Sequence, residues 1–143
     1  MLNWIEDELF ISSKAKDKLQ KSTLKGIHFC DVKRAKDNEI FEDVYQLHIK
    51  EQLSPGMIED NEPIAITILC HKCGGTKFIH SGKGFKYHNS VIENVDVDII
   101  KSSEAFGDGH MCARIIFVSQ DFYQFLKKNK LDRNLEFEPI LLV

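Results

Sequence analysis

Ile116-Phe117-Val118-Ser119-Gln120-Asp121-Phe122-Tyr123-Gln124-Phe125-Leu126-Lys127-Lys128-Asn129-Lys130-Leu131 changes its period at Ser119. Before the serine the residues are apolar and largely β-branched, as in a buried strand. After it, Phe122, Phe125 and Leu126 recur at i, i+3 and i+4 and mark one apolar helical face. Ser119 is placed to cap that helix, because its hydroxyl can accept from a free N–H of the first turn. Asp121 in the first turn and Lys127, Lys128 and Lys130 at the end follow the sign of the helix dipole. Beyond Leu131, the stretch Leu135-Glu136-Phe137 reads as a second strand.

The same order recurs at the other end of the chain. Leu9-Phe10-Ile11-Ser12 precedes a helical stretch with Ala15 and Leu19 as its stripe, followed by Leu24 and Ile27-His28-Phe29. Aligned on the serines, Phe10 meets Phe117, Leu19 meets Leu126, Lys21 meets Lys128 and Leu24 meets Leu131. One inserted residue near Arg133 brings Phe29 onto Phe137 and Val32 onto Ile140. Both ends therefore read as strand-helix-strand, a repeated unit or a chance recurrence of a common one. The fold class that follows is α+β, with a mixed or antiparallel sheet built by the two units.

Between them, residues 44–50 alternate, with Tyr45, Leu47 and Ile49 on one face, as in a half-buried strand. Ser54-Pro55-Gly56 is a turn. Ile64-Ala65-Ile66-Thr67-Ile68-Leu69 reads as a buried strand running into Cys70-His71-Lys72-Cys73-Gly74-Gly75. Gly82 and Gly84 mark a turn between strands at 76–80 and 85–88, so a Cys-Gly hairpin is inserted in the middle. Ser102 or Ser103 is placed to cap a short helix through Phe106, ended by Gly107. No linker-like stretch divides residues 1–143, which read as a single domain.

The 143 residues are 43% hydrophobic and 29% charged, with a net charge of −3, a globular composition. There is no basic stripe of the kind that neutralises phosphates, which argues against nucleic-acid binding. Met1-Leu2-Asn3-Trp4-Ile5-Glu6 lacks the pattern of a signal peptide. No apolar run approaches the roughly 20 residues of a membrane span. A cytoplasmic protein is expected, with Cys30, Cys70, Cys73 and Cys112 as reduced thiols or metal ligands.

Cys70-x-x-Cys73-Gly74 is the sharpest motif. Such a knuckle aims two thiolates at one ion, and tetrahedral zinc asks for two more ligands. His110 and Cys112 form a second short-spaced pair; His80 and His88 are the other option. A plain turn with reduced cysteines is the simpler reading. A redox role is disfavoured, because a strand rather than a helix follows Cys73. No catalytic residue is expected. His110 and Cys112 lack an orienting third group, and Glu93, Asp96, Asp98 and Glu104 alternate with apolar residues as solvated faces would. Gly82-Lys83-Gly84 lacks the spacing of a phosphate loop.

Asp98-Ile99-Ile100-Lys101-Ser102-Ser103-Glu104-Ala105-Phe106-Gly107, Ile116-Phe117-Val118-Ser119, then Leu126, Leu131, Phe137 and Pro139-Ile140 resemble a family of bacterial immunity proteins with double CxxCG motifs, found beside polymorphic toxins. Cys70-His71-Lys72-Cys73-Gly74 looks like the first CxxCG. The second is absent, so a zinc site of the family's kind would need substitute ligands such as His110 and Cys112. The resemblance covers about the second half of the chain. It implies a non-catalytic antidote that binds a cognate protein toxin, with at most one structural zinc ion as cofactor. A mildly acidic antidote would suit a basic nuclease toxin. The rival expectation is a small zinc-binding adaptor with a different protein partner.

Overall fold

The computed structural model describes residues 8–58, 68–69, 76–79, 84–107 and 112–143, and within them the chain is a mixed α+β fold. The first unit comprises β1 (Leu9–Ser12), α1 (Ser13–Gln20) and β2 (His28–Lys33). Ser12 caps α1 as its side-chain chemistry predicts, accepting from the Ala15 N–H at 3.4 Å. Ala15 and Leu19, one turn apart, are the buried residues of α1. The long strand β3 (Ile40–His48) lies between β1 and β2 and is antiparallel to both, so α1 crosses over it. Leu9 and Phe29 both register with Leu47, which is buried under α1 with Leu19. Between α1 and β2, Gly26 has a φ of +80°. A Cβ there would lie 2.9 Å from Val97 Cβ, so a residue with a side chain is excluded on two counts.

The second unit begins with β8 (Ala113–Val118) and α2 (Gln120–Asn129). The Ser119 hydroxyl accepts from the Phe122 N–H at 3.1 Å, and Phe122 and Leu126 are buried on the expected face. The C-terminus of α2 closes in a Schellman turn. Leu131 N–H reaches Leu126 O at 2.9 Å, Lys130 N–H reaches Lys127 O at 3.1 Å, and Lys130 has a φ of +56°.

The third element of this unit is displaced from its expected place. Residues 135–137 form no strand; the closing strand is β9 (Leu141–Leu142), which joins a different sheet. Leu135 N–H is turned back to Asp132 O at 3.0 Å, and Pro139 has no N–H to offer a ladder. Phe137 is held by its side chain instead, edge-on to Tyr123 with ring centroids 5.1 Å apart.

In the middle of the chain, β4 (Ile68–Leu69) and β5 (Thr76–Phe78) pair antiparallel, Leu69 opposite Thr76, and so flank the Cys-Gly stretch as a hairpin does. The apolar stretch before Ile68 lies outside the described residues. Leu69 is 54% exposed, because β4 is an edge strand and not the buried one expected. β6 (Lys86–Tyr87) pairs parallel with β9, so it is not the hairpin partner of β5.

The expected helix beginning at Ser102 or Ser103 is instead the end of a strand, β7 (Ile99–Phe106). It pairs with β5 on one side and β8 on the other, giving the sheet order β4-β5-β7-β8. Ser102 spends its hydroxyl on a bulge, not on a helix cap. Register runs from Lys101 opposite Ile116 to Ala105 opposite Arg114, so residues 102–104 of β7 face Ile115 alone. The fully buried Ser102 hydroxyl accepts from Ile115 N–H at 3.0 Å and donates to Glu104 O at 2.7 Å. It supplies the partners that the displaced ladder withholds.

Two apolar clusters hold these parts together. The larger joins Leu19, Leu47, Ile49, Ile99, Phe122 and Leu126, so both helices share one core with β3 and β7. The smaller joins Leu53, Tyr87, Ile100 and Phe117. Asp98 stitches the two units: its carboxylate accepts from Lys25 N–H at 2.7 Å and from the Ser119 hydroxyl at 2.6 Å. No helix among the described residues is long and apolar enough to cross a membrane.

Candidate binding groove

The amphipathic stripes that build the larger core also leave it open on one side. Between α1, β1, β3 and the end of α2 lies a groove of about 940 Å³. Ala15, Leu19, Leu47, Phe122 and Leu126 form its floor, and all are buried. Leu9, Ile11, Val32, Val44 and Leu131 add apolar walls.

Its margins are unusual for a surface. Phe10 is 48% exposed, Phe41 40% and Leu135 39%, and all three line the groove. Single exposed apolar residues are ordinary, whereas a group around one concavity marks a contact site. The polar lining consists of Glu8, Lys33, Arg34, Arg133 and Asn134. Glu8 is engaged by Lys101 Nζ at 3.4 Å and by the Gln46 amide. Arg34 is fixed over the Phe41 ring at 5.4 Å and donates to Asp37 at 3.2 Å. Among the described lining residues there is no Ser, Cys, His or Tyr, so the groove's chemistry is that of apolar contact edged by charge.

A smaller cleft of about 350 Å³ runs from the same floor along β8 to residues 135–137. It shares Leu9, Phe122, Leu126 and Leu135 with the groove and extends it.

No family model, curated protein or solved structure matches this chain.

The metal candidates are placed as follows. Cys70, Cys73 and His110 lie outside the described residues, as does His80. Cys112 is described: its thiol is free and exposed immediately before β8. The strand ends fix where the two ligand pairs attach. Lys77 registers with Ala105 and Phe78 with Phe106, so Leu69 and Thr76, beside the Cys-Gly stretch, lie near the same end of β7 as Phe106 and Ala113, which bracket His110 and Cys112. Among the described residues, no group of three or more His, Cys, Asp or Glu is placed to hold a metal.

Glu104 was invisible as a structural carboxylate in the sequence. Expected on a solvated face, it is buried and takes three hydrogen bonds, two from the Gly56 and Met57 N–H groups and one from the Tyr87 hydroxyl. Burial first, and then the Glu104 charge, push the Tyr87 phenol far above its usual range. The groove was equally hidden, although its floor residues were the two helical stripes already legible at Ala15, Leu19, Phe122 and Leu126. Which side of those stripes stays uncovered depends on the packing of the two units.

Proposed function

We propose that this chain is a non-catalytic binding protein of the bacterial cytoplasm that neutralises a cognate protein toxin by occupying part of its surface. The observation that carries the reading is the groove: an apolar floor continuous with the core, three exposed apolar side chains at its margin and a charged edge. That composition matches the buried centre and polar rim of protein–protein interfaces. The resemblance of Asp98 to Ile140 to immunity proteins supplies the partner class. Co-expression with the toxin domain encoded beside the gene tests it. A stoichiometric complex on a sizing column, with loss of toxin activity, is expected. Separate migration and undiminished toxicity would overturn it.

A second reading, a zinc-binding adaptor, is favoured by the antiparallel pairing of β4 with β5 around Cys70-x-x-Cys73, the setting of a zinc knuckle.

A further inference from the structure

We propose that His28, His48 and Glu51 form a binding site for a divalent transition-metal ion of the zinc type. The site draws on no residue of the groove and none of the Cys70-x-x-Cys73 motif, so it stands apart from the protein-binding reading.

Strand pairing makes the first half of the site. His28 opens β2 and stands directly opposite His48, the last residue of β3, in antiparallel register. Residues opposite each other in such a pair share a face, with Cβ atoms about 5 Å apart. Their face is the one turned away from α1, because the next pair along, Phe29 and Leu47, packs with Leu19 in the larger core. Two imidazoles rooted that closely can aim ring nitrogens at one point. Both residues are half-buried, so an ion reaches them from solvent.

Glu51 supplies the anion. Beyond β3 the chain runs beside β7, where Glu51 O accepts from Lys101 N–H at 3.1 Å and Leu53 N–H reaches Lys101 O at 2.9 Å. Glu51 Oε1 lies 3.7 Å from His28 Nε2, too long for a hydrogen bond. It is close to the spacing of about 3.3 Å between two donors on one tetrahedral ion with bonds of about 2.0–2.1 Å. The other oxygen, Oε2, is buried without a hydrogen-bond partner. A carboxylate oxygen withdrawn from water and left unpaired is unfavourable, and a cation beside it would compensate. The three side chains as they stand are not gathered about one point. His48 joins the other two by turning about its outer torsion, which is soft for an imidazole.

The donor set selects the ion. Two imidazoles and one carboxylate suit Zn²⁺, whereas Ca²⁺ and Mg²⁺ ask for shells of oxygen. Three protein ligands leave a fourth position for water. An ion held there would clip the start of β2 to the segment that pairs with β7.

The test titrates zinc chloride into the full chain at about pH 8, where an ordinary imidazole is neutral and free to ligate. Calorimetry should show binding, and the melting temperature should rise with zinc but not with magnesium. His28→Ala, His48→Ala and Glu51→Gln should each weaken this binding at least about tenfold. Metal-free melts that match the parent establish that the variants fold. Zinc-dependent shifts of the His28 and His48 ring protons in the parent chain give a readout that needs no variant. Cobalt locates the ion: a site of imidazole and carboxylate shows no thiolate charge-transfer band, whereas a cysteine site does.

Unshifted ring protons at His28 and His48 overturn the proposal and leave His28 and Glu51 a surface ion pair. Zinc binding unchanged in His48→Ala overturns it as well. So does a cobalt spectrum whose every band disappears in Cys73→Ser, which places the ion on the Cys-Gly stretch.

Discussion

The Tyr87 hydroxyl donates to Glu104 Oε2 at 3.1 Å inside the smaller apolar cluster, while Glu104 Oε1 accepts from the Gly56 and Met57 N–H groups at 2.9 and 3.0 Å. One carboxylate therefore ties the Ser54-Pro55-Gly56 turn and β6 to β7. Tyr87→Phe should cost about 1–2 kcal/mol in a denaturant titration, since one hydrogen bond to a charged, buried acceptor is lost. The pH dependence has a definite sign. The folded state holds the phenol proton well above the value at which the unfolded chain releases it, near pH 10. The Tyr87 contribution is then fully present below about pH 10 and is lost as pH rises beyond it. Tyr87→Phe should lose less stability than the parent between about pH 9 and pH 11. An identical alkaline decline in both proteins would count against the buried phenol.

Lys130 occupies the left-handed position that ends α2, at a φ of +56°. Residues with a Cβ pay roughly 1 kcal/mol there, and glycine does not. Lys130→Gly should raise stability by about 0.5–1 kcal/mol after the loss of a favourable charge at the helix end. A lower thermal midpoint for the variant would show that the Lys130 side chain matters more than its backbone strain.

Ser102 is fully buried and bridges the bulge between β7 and β8. Ser102→Ala leaves the Ile115 N–H without this acceptor, at a cost of about 1–3 kcal/mol. Hydrogen exchange at Ile115 should accelerate more than at Phe117, which lies outside the bulge. Unchanged exchange at Ile115 would mean another acceptor takes over.

The groove separates folding from recognition. Phe122 on its floor is 2% exposed, so Phe122→Ala should destabilise by about 3–5 kcal/mol. Phe10 on its margin is 48% exposed, and Phe10→Ser should change stability by less than about 0.5 kcal/mol while weakening partner binding. A large stability loss at Phe10 would assign that ring to the core and not to an interface.

Zinc is tested by elemental analysis of the purified chain. The adaptor reading predicts about one zinc per molecule, lost together with stability in Cys73→Ser. Comparing Cys112→Ser with Cys70→Ser then asks whether the two cysteine-bearing connections share an ion. Retention of zinc in Cys112→Ser removes Cys112 from the ligand set. A metal-free parent whose melting is unchanged in Cys73→Ser removes the site altogether.

The local chemistry of the chain determined both helices. Ser12 and Ser119 cap them, Ala15/Leu19 and Phe122/Leu126 face inward, and the alternation at 44–48 made a strand, because these depend on neighbours within one turn or two residues. Tertiary structure decided the rest. Residues 102–106 carry the signals of a capped helix, yet pairing with β5 and β8 draws them into β7 and turns the Ser102 hydroxyl to a bulge. Glu104 became a buried clasp through partners 17, 47 and 48 residues away in the chain. The groove exists because both helices pack on β3 and β7 while leaving one side of the shared core uncovered. No periodicity in either helix records where its neighbour stops.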